Sequence, residues 1–286
     1  MLLKTRLSTT CLLAFYLGLA CTPAAAHSGI HERIEHATEL IHRQPDVPGL
    51  YVDRAFLWGE HGEWKAARKD MRTAERLDHG KNTVAYSHAL LLWQQYQEQA
   101  SPDTLLEALR HSNRAIEHAP SNANTHLLRG RILHAMGDLD KALVDYQAAI
   151  DKTRRPHADL YLETARLWLE RGSPNKALAT LEASVTRLGD ATVPVTRMAM
   201  DIAEEHDQPG TALAWWSRLP EVLRTLPNEL LHNGDLLTQT GKTDAAQEAY
   251  CEAIRQLDRL PAWRQQKPNI QGVDRQLKKR LHGSCH

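Results

Sequence analysis

The chain has no excess of charge: 35 lysines and arginines face 35 aspartates and glutamates. A balanced chain has no global basic field to draw in nucleic acid. Past its N-terminal segment it has no run of about 20 apolar residues, so nothing else reads as a membrane span. Stretches that alternate β-branched with polar residues are few, and strands are not expected. There is no G-x-S-x-G elbow, no phosphate-binding loop, and no Cys–His pair at a workable spacing. Catalysis therefore has no signature, and the chain is not expected to be an enzyme. Proline (13) and glycine (15) are modest and fall mostly between helical segments. With 42% apolar and 24% charged residues, the composition is that of a folded soluble protein.

Cysteine is scarce, four in 286 residues, and two of the four sit in a distinct leader. Lys4 and Arg6 precede an apolar run from Leu7 to Ala20, then Pro23 and Ala24-Ala25-Ala26. This is the layout of a secretory signal peptide, with cleavage after Ala26 and export to the periplasm as the expectation. An uncleaved anchor fits less well, because the run is short for a span. Gly18-Leu19-Ala20-Cys21 only partly matches a lipobox, so the alternative is a membrane-anchored lipoprotein held through Cys21. Cys251 and Cys285 remain for the mature chain. In an oxidising compartment they form either a disulfide or two free thiols.

What is abundant is a ladder of alanines: Ala67, Ala108, Ala142, Ala177, Ala212 and Ala246, at steps of 41, 34, 35, 35 and 34. Four of them follow a glycine by five residues: Gly62, Gly137, Gly172 and Gly241. A period near 34 is that of a helix–turn–helix unit. Residues 123–154 show the pattern most fully, with Gly130, Gly137, Ala142, Tyr146 and Ala149. On these positions the chain resembles the tetratricopeptide-repeat family. Armadillo and Sel1-like arrays differ in repeat length. Small residues let paired helices approach to about 8–10 Å, and large ones fill the gaps.

The resemblance implies an all-α solenoid of about six repeats wound as a right-handed superhelix. The expected layout is a leader over 1–26, an N-terminal capping helix over 27–46, a solenoid over 47–259, and a cap and tail over 260–286. Repeat 2 carries about seven extra residues around Gln94 to Asp103, expected in its inter-helix turn. Repeat 5 has Asp207 where glycine belongs. The final cap is expected over Val273 to Leu281.

The resemblance also implies a concave groove, lined by the first helix of each repeat, that binds a protein or peptide partner. Its candidate lining is Asp53 and Phe56; Tyr86, Ser87, Leu90 and Trp93; Asn124, Leu127, Arg131 and His134; Glu163, Arg166 and Glu170. It continues with Arg197, Asp201 and Glu204, then Leu231, His232 and Asp235. Arg131, Arg166 and Arg197 form either a free cationic row or pairs with carboxylates such as Glu163 and Asp201.

Sixteen histidines are many for this length. His31 and His36 are five apart, about 140° around a helix, and so fail the zinc-protease spacing. His27, exposed by cleavage, could chelate copper or nickel with His31 or His36. The alternative function is accordingly a periplasmic metal-handling accessory role for this His-rich terminus. A solvated, mobile terminus explains the same residues. Otherwise no cofactor is expected.

Overall fold

In the computed structural model, residues 24–189, 192–281 and 285 are described, with side chains from residue 29 onward. The leader through Pro23 and the side chain of His27 lie outside this set. Sixteen helices run through the described residues. They fall into two compact units that divide after Ala100.

The first unit holds α1 (Ala24–Arg43), α2 (Pro48–Glu60), α3 (Trp64–Leu77) and α4 (Ala85–Gln99). Pro48 starts α2, where its fixed φ suits the helix and its missing N–H has no intrahelical acceptor. Gly62 (φ +78°) turns the chain from α2 into α3. That left-handed conformation is strained for any residue with a Cβ. Ala55, Ala67, Met71, Ala74 and Leu91 are fully buried, and they form one core with Val52, Trp64 and Val84. Ile34 and Ala37 dock α1 on Leu57. The extra residues of repeat 2 do not form a long turn. Gln94 to Gln99 are helical, and α4 closes at Ala100 with φ +49°. Leu91 and Leu92 just before that segment and Gln95 within it are buried, and this anchors the extended helix while Gln94 and Gln97 to Gln99 face outward.

The second unit runs from α5 (Pro102–His118) to α16 (Pro268–Arg280). Its hairpins pair α6 (Ala123–Ala135) with α7 (Leu139–Lys152), and α8 (Ala158–Glu170) with α9 (Pro174–Leu188). They continue with α10 (Val193–Glu205) and α11 (Pro209–Trp216), then α13 (Pro227–Gln239) and α14 (Thr243–Asp258). Gly137, Gly172 and Gly241 make the left-handed turns, and Asp207 makes the fourth at φ +54°. The core is three clusters in succession, around Tyr146 and Tyr161, around Trp215 and Trp216, and around Tyr250 and Leu277. Serial clusters are what a chain of nearest-neighbour repeats produces. The ladder alanines of this unit are at most 2% exposed. Gly130 and Gly234 are where the helices of a hairpin come closest. A Cβ on Gly130 would lie 2.8 Å from the Tyr146 ring, and one on Gly234 would lie 2.2 Å from the Tyr250 ring.

Two one-turn helices, α12 (Glu221–Arg224) and α15 (Ala262–Gln265), interrupt this pattern. They sit in matching connectors: Leu219-Pro220 and Pro227-Asn228 recur 41 residues on as Leu260-Pro261 and Pro268-Asn269. The terminal helix α16 therefore stands where the first helix of a seventh hairpin would. It begins at Pro268 rather than near Val273, because proline at the first helical position starts it early. No helix among the described residues is long and apolar enough to cross a membrane.

Candidate functional site

In the first unit, α1 and α2 diverge to leave a groove of about 650 Å³. Its floor is Ala37, Leu40, Phe56 and Leu57, and its rim is Glu32, Arg33, His36, Asp53 and Glu60. Two of the predicted lining residues, Asp53 and Phe56, thus come together here with His36. Ala37 and Leu57 are core residues, so the floor is rigid while the rim is wet. Arg33 donates to Glu60 at 2.9 Å, which leaves the carboxylates of Glu32 and Asp53 to set the sign of the rim. Glu32, Arg33, Leu40 and Glu60 are absent from the lining expected from the repeat pattern. Three of the four lie on α1, a helix outside the repeat register.

Further along this unit, Tyr86, Ser87, Leu90 and Trp93 are half-buried on α4. Trp93 stacks on Tyr96, with ring centroids 5.7 Å apart. They do not line the α1–α2 groove. His31 and His36 leave α1 in different directions. The His31 ring lies 4.6 Å from that of His61, while His36 faces the groove.

In the second unit the predicted lining becomes a row of ion pairs between successive hairpins. Arg131 donates to both oxygens of Glu163 at 3.0 and 2.6 Å, and Tyr146 adds a hydroxyl to the same carboxylate at 3.1 Å. Arg197 repeats the arrangement on Glu229 at 2.9 and 2.6 Å. His134 meets Glu170 at 2.7 Å, and His232 meets Glu204 at 2.9 Å. Both guanidinium groups have their pKa raised, chiefly by the hydrogen bonds to these carboxylates. Burial, then Glu163, pushes the Tyr146 phenol well above its ordinary value.

The free cationic row is therefore not what this face presents. Arg197 pairs with Glu229, 32 residues on, rather than with its own-helix neighbour Asp201. Leu231 is buried in the last core cluster instead of facing outward. Asp235 accepts from Tyr250 at 2.8 Å and also from Arg280, which fastens α16 to α13. Asn124, Arg166 and Asp201 remain exposed, and among the described residues Arg166 has no ion pair. Leu127 packs at the edge of the core around Tyr146.

The sulfurs of Cys251 and Cys285 are bonded, with Cα atoms 5.4 Å apart. The bridge ties Cys285 to α14.

Helix hairpins stacked in series, with small residues at the helix crossings and left-handed turns between the helices, define a helical-repeat protein. A sequence profile of the tetratricopeptide repeat matches residues 123–151, the stretch with the fullest motif. Residues 123–151 are thus one tetratricopeptide repeat, and the chain has the all-α fold of proteins built from such repeats. Among solved structures it is similar to the C-terminal part of a repeat-containing protein of this kind from Cytophaga hutchinsonii. The two are 14% identical over 87% of this chain and 95% of that one, with a TM-score of 0.57. It is also similar to a tetratricopeptide repeat protein from Parabacteroides merdae, at 13% identity over 90% and 94% of the two chains and a TM-score of 0.49. No curated protein matches.

Proposed function

We propose that the chain is an exported, non-catalytic scaffold that holds a segment of a partner protein in the α1–α2 groove. The observation that carries this reading is the groove itself: an apolar floor around Phe56 under a rim richer in carboxylates than in cations. An apolar slot with a few polar groups at its edge is the usual form of a binding site. Here it suits a peptide with an apolar anchor and a flanking lysine or arginine. Export to the periplasm is supported by the leader pattern and by the Cys251–Cys285 bridge, since disulfides persist in oxidising compartments.

A photo-crosslinking residue in place of Phe56 tests the groove in the source cell. One partner band is expected from that position and none from an exposed control position such as Thr186. Equal labelling from both positions would end this reading. Mass spectrometry of the same purified protein reads the N-terminus directly: His27 for cleavage after Ala26, or a lipid on Cys21.

The copper- or nickel-handling alternative, through His27, His31 and His36, has less support, because His31 and His36 leave α1 in different directions. Titration with Cu²⁺ before and after replacing the three histidines by alanine distinguishes it. Equal binding in both removes it.

A further inference from the structure

The C-terminal end of the second unit carries a positive excess that the rest of the chain offsets. From Arg259 to Arg280 there are seven lysines and arginines and one acid, Asp274, in a chain that is neutral as a whole. Part of this has a local cause: cations in the last turn of α16 suit the negative end of the helix dipole. Lys278 also pairs with Asp274, and Arg280 with Asp235. Five cations remain without an ion pair among the described residues: Arg259, Arg264, Lys267, Arg275 and Lys279.

Their placement is not random. Leu277 is the buried residue of α16. By the helical period Arg275 and Lys279 each stand about 160° from it, on the face turned fully outward. Like charges four apart on a helix disfavour it slightly, so this pairing is not there to stabilise α16. Trp263, on the one-turn helix α15 that packs on α16, is 58% exposed. The Arg264 guanidinium and the Lys267 ammonium each lie 5.1 Å from its ring centroid. That distance is within the cation–π range. It gathers both charges around the ring.

We propose that this end of the protein is a docking surface for an anionic lipid bilayer. A tryptophan ring has an apolar body and a polar edge and settles at the headgroup level of a membrane. Clustered lysines and arginines are drawn to anionic headgroups, at roughly fivefold in affinity for each charge that reaches the surface. Trp263 supplies the first element, and Arg264, Lys267, Arg275 and Lys279 supply the second. The proposal is independent of the α1–α2 groove, which lies in the other unit.

The test is sedimentation of the purified chain, as its source cell processes it, with vesicles. Vesicles of three parts phosphatidylglycerol to seven of phosphatidylethanolamine are compared with vesicles of phosphatidylcholine alone. Binding to the anionic vesicles is expected to be at least tenfold stronger and to fade with salt. Arg275→Glu with Lys279→Glu should weaken it tenfold or more. Arg264→Glu with Lys267→Glu, on a different element, should do the same, and Trp263→Ala should weaken it a few-fold. Circular dichroism confirms that each variant is folded. Equal binding by the charge-reversed chains, or no preference for anionic vesicles, overturns the proposal. So does capture of poly-glutamate without capture of vesicles, which would make the surface a site for an acidic protein.

Discussion

Arg129 grips Asp145 with two hydrogen bonds, from Nε at 2.6 Å and from Nη2 at 2.8 Å. Its third nitrogen reaches back to Asn113 on α5 at 3.0 Å. Seventy-five residues earlier Arg54 holds Asp70 at 2.7 and 2.8 Å, and its third nitrogen reaches Thr38 on α1 at 3.0 Å. Every member of the first set is matched by a member of the second at the same spacing. The buckle ties three helices together at one point, and each unit has one. Asp70 is 5% exposed and Asp145 2%; Asp70 depends on its arginine, while Asp145 also has His126 Nδ1 at 3.1 Å.

Removing one partner of a buried pair strands the other charge, which costs about 3–5 kcal/mol. Arg54→Ala is therefore expected to lower the stability of the first unit by about that amount, and Arg129→Ala that of the second by less, because His126 stays beside Asp145. Replacing both members of the first pair, Arg54→Leu with Asp70→Leu, is expected to cost far less, because no charge is left behind. Urea unfolding of the single and double variants checks this. A double variant as unstable as the single would mean that the cost lies in packing rather than in the stranded charge.

The sequence pattern made the hairpins, the alanine contacts and four of the turns readable, because those positions are fixed by hard constraints. A residue at φ near +75° favours glycine, and a close crossing admits only glycine or alanine. The buckles and the cross-hairpin pairs were not readable in the same way. Arg197 had Asp201 on its own helix and Glu229 on the next hairpin. The choice depends on which way a long side chain leans, and no local rule sets that. The groove was half legible. Asp53 and Phe56 follow from the repeat register, but their opposite wall is α1, which lies outside it.

Asp207 is the turn residue of repeat 5 and holds φ +54°, a conformation its equivalents leave to glycine. Left-handed backbone costs a residue with a Cβ about 1 kcal/mol. Asp207→Gly should thus raise the stability of the second unit by up to about 1 kcal/mol. The flexibility glycine gives the unfolded chain offsets part of that gain. A thermal melt reads the change, and a lower melting temperature would show that the Asp207 side chain contributes something that outweighs the strain.

The Cys251–Cys285 bridge closes a loop of 34 residues that contains α15 and α16. A loop of that length corresponds to about 4 kcal/mol in the chain-entropy account, and measured values centre on 2–4 kcal/mol. Cys285→Ser is expected to destabilise α16 by about that much and to leave α1 to α4 unchanged. Hydrogen exchange resolved by segment is the suitable measurement. Faster exchange confined to α13, α14 and α16 is the expected result, and unchanged exchange in α16 would assign its anchoring to Arg280 and Asp235 alone.

Three tyrosines of the second unit, Tyr146, Tyr161 and Tyr250, have pKa values raised above the ordinary one, in each case first by burial. In the unfolded chain they ionise near pH 10. In the folded chain they stay neutral to a higher pH, so the native state holds its protons more tightly. Their contribution to stability is full below about pH 10 and is lost as pH rises through the folded values. Tyr146 carries the largest part, first because its phenol is deeply buried and then because Glu163, 3.1 Å from its hydroxyl, opposes a second negative charge, while Arg131 opposes the shift only partly. Urea midpoints should therefore fall between pH 9 and pH 11 more steeply than between pH 7 and pH 9. Tyr146→Phe is expected to cost about 1 kcal/mol at pH 8, the worth of one hydrogen bond to a charged group less the hydroxyl's desolvation. The same change should flatten the alkaline fall. An alkaline slope as steep in the variant as in the parent would locate the lost protons on Tyr161 and Tyr250 instead.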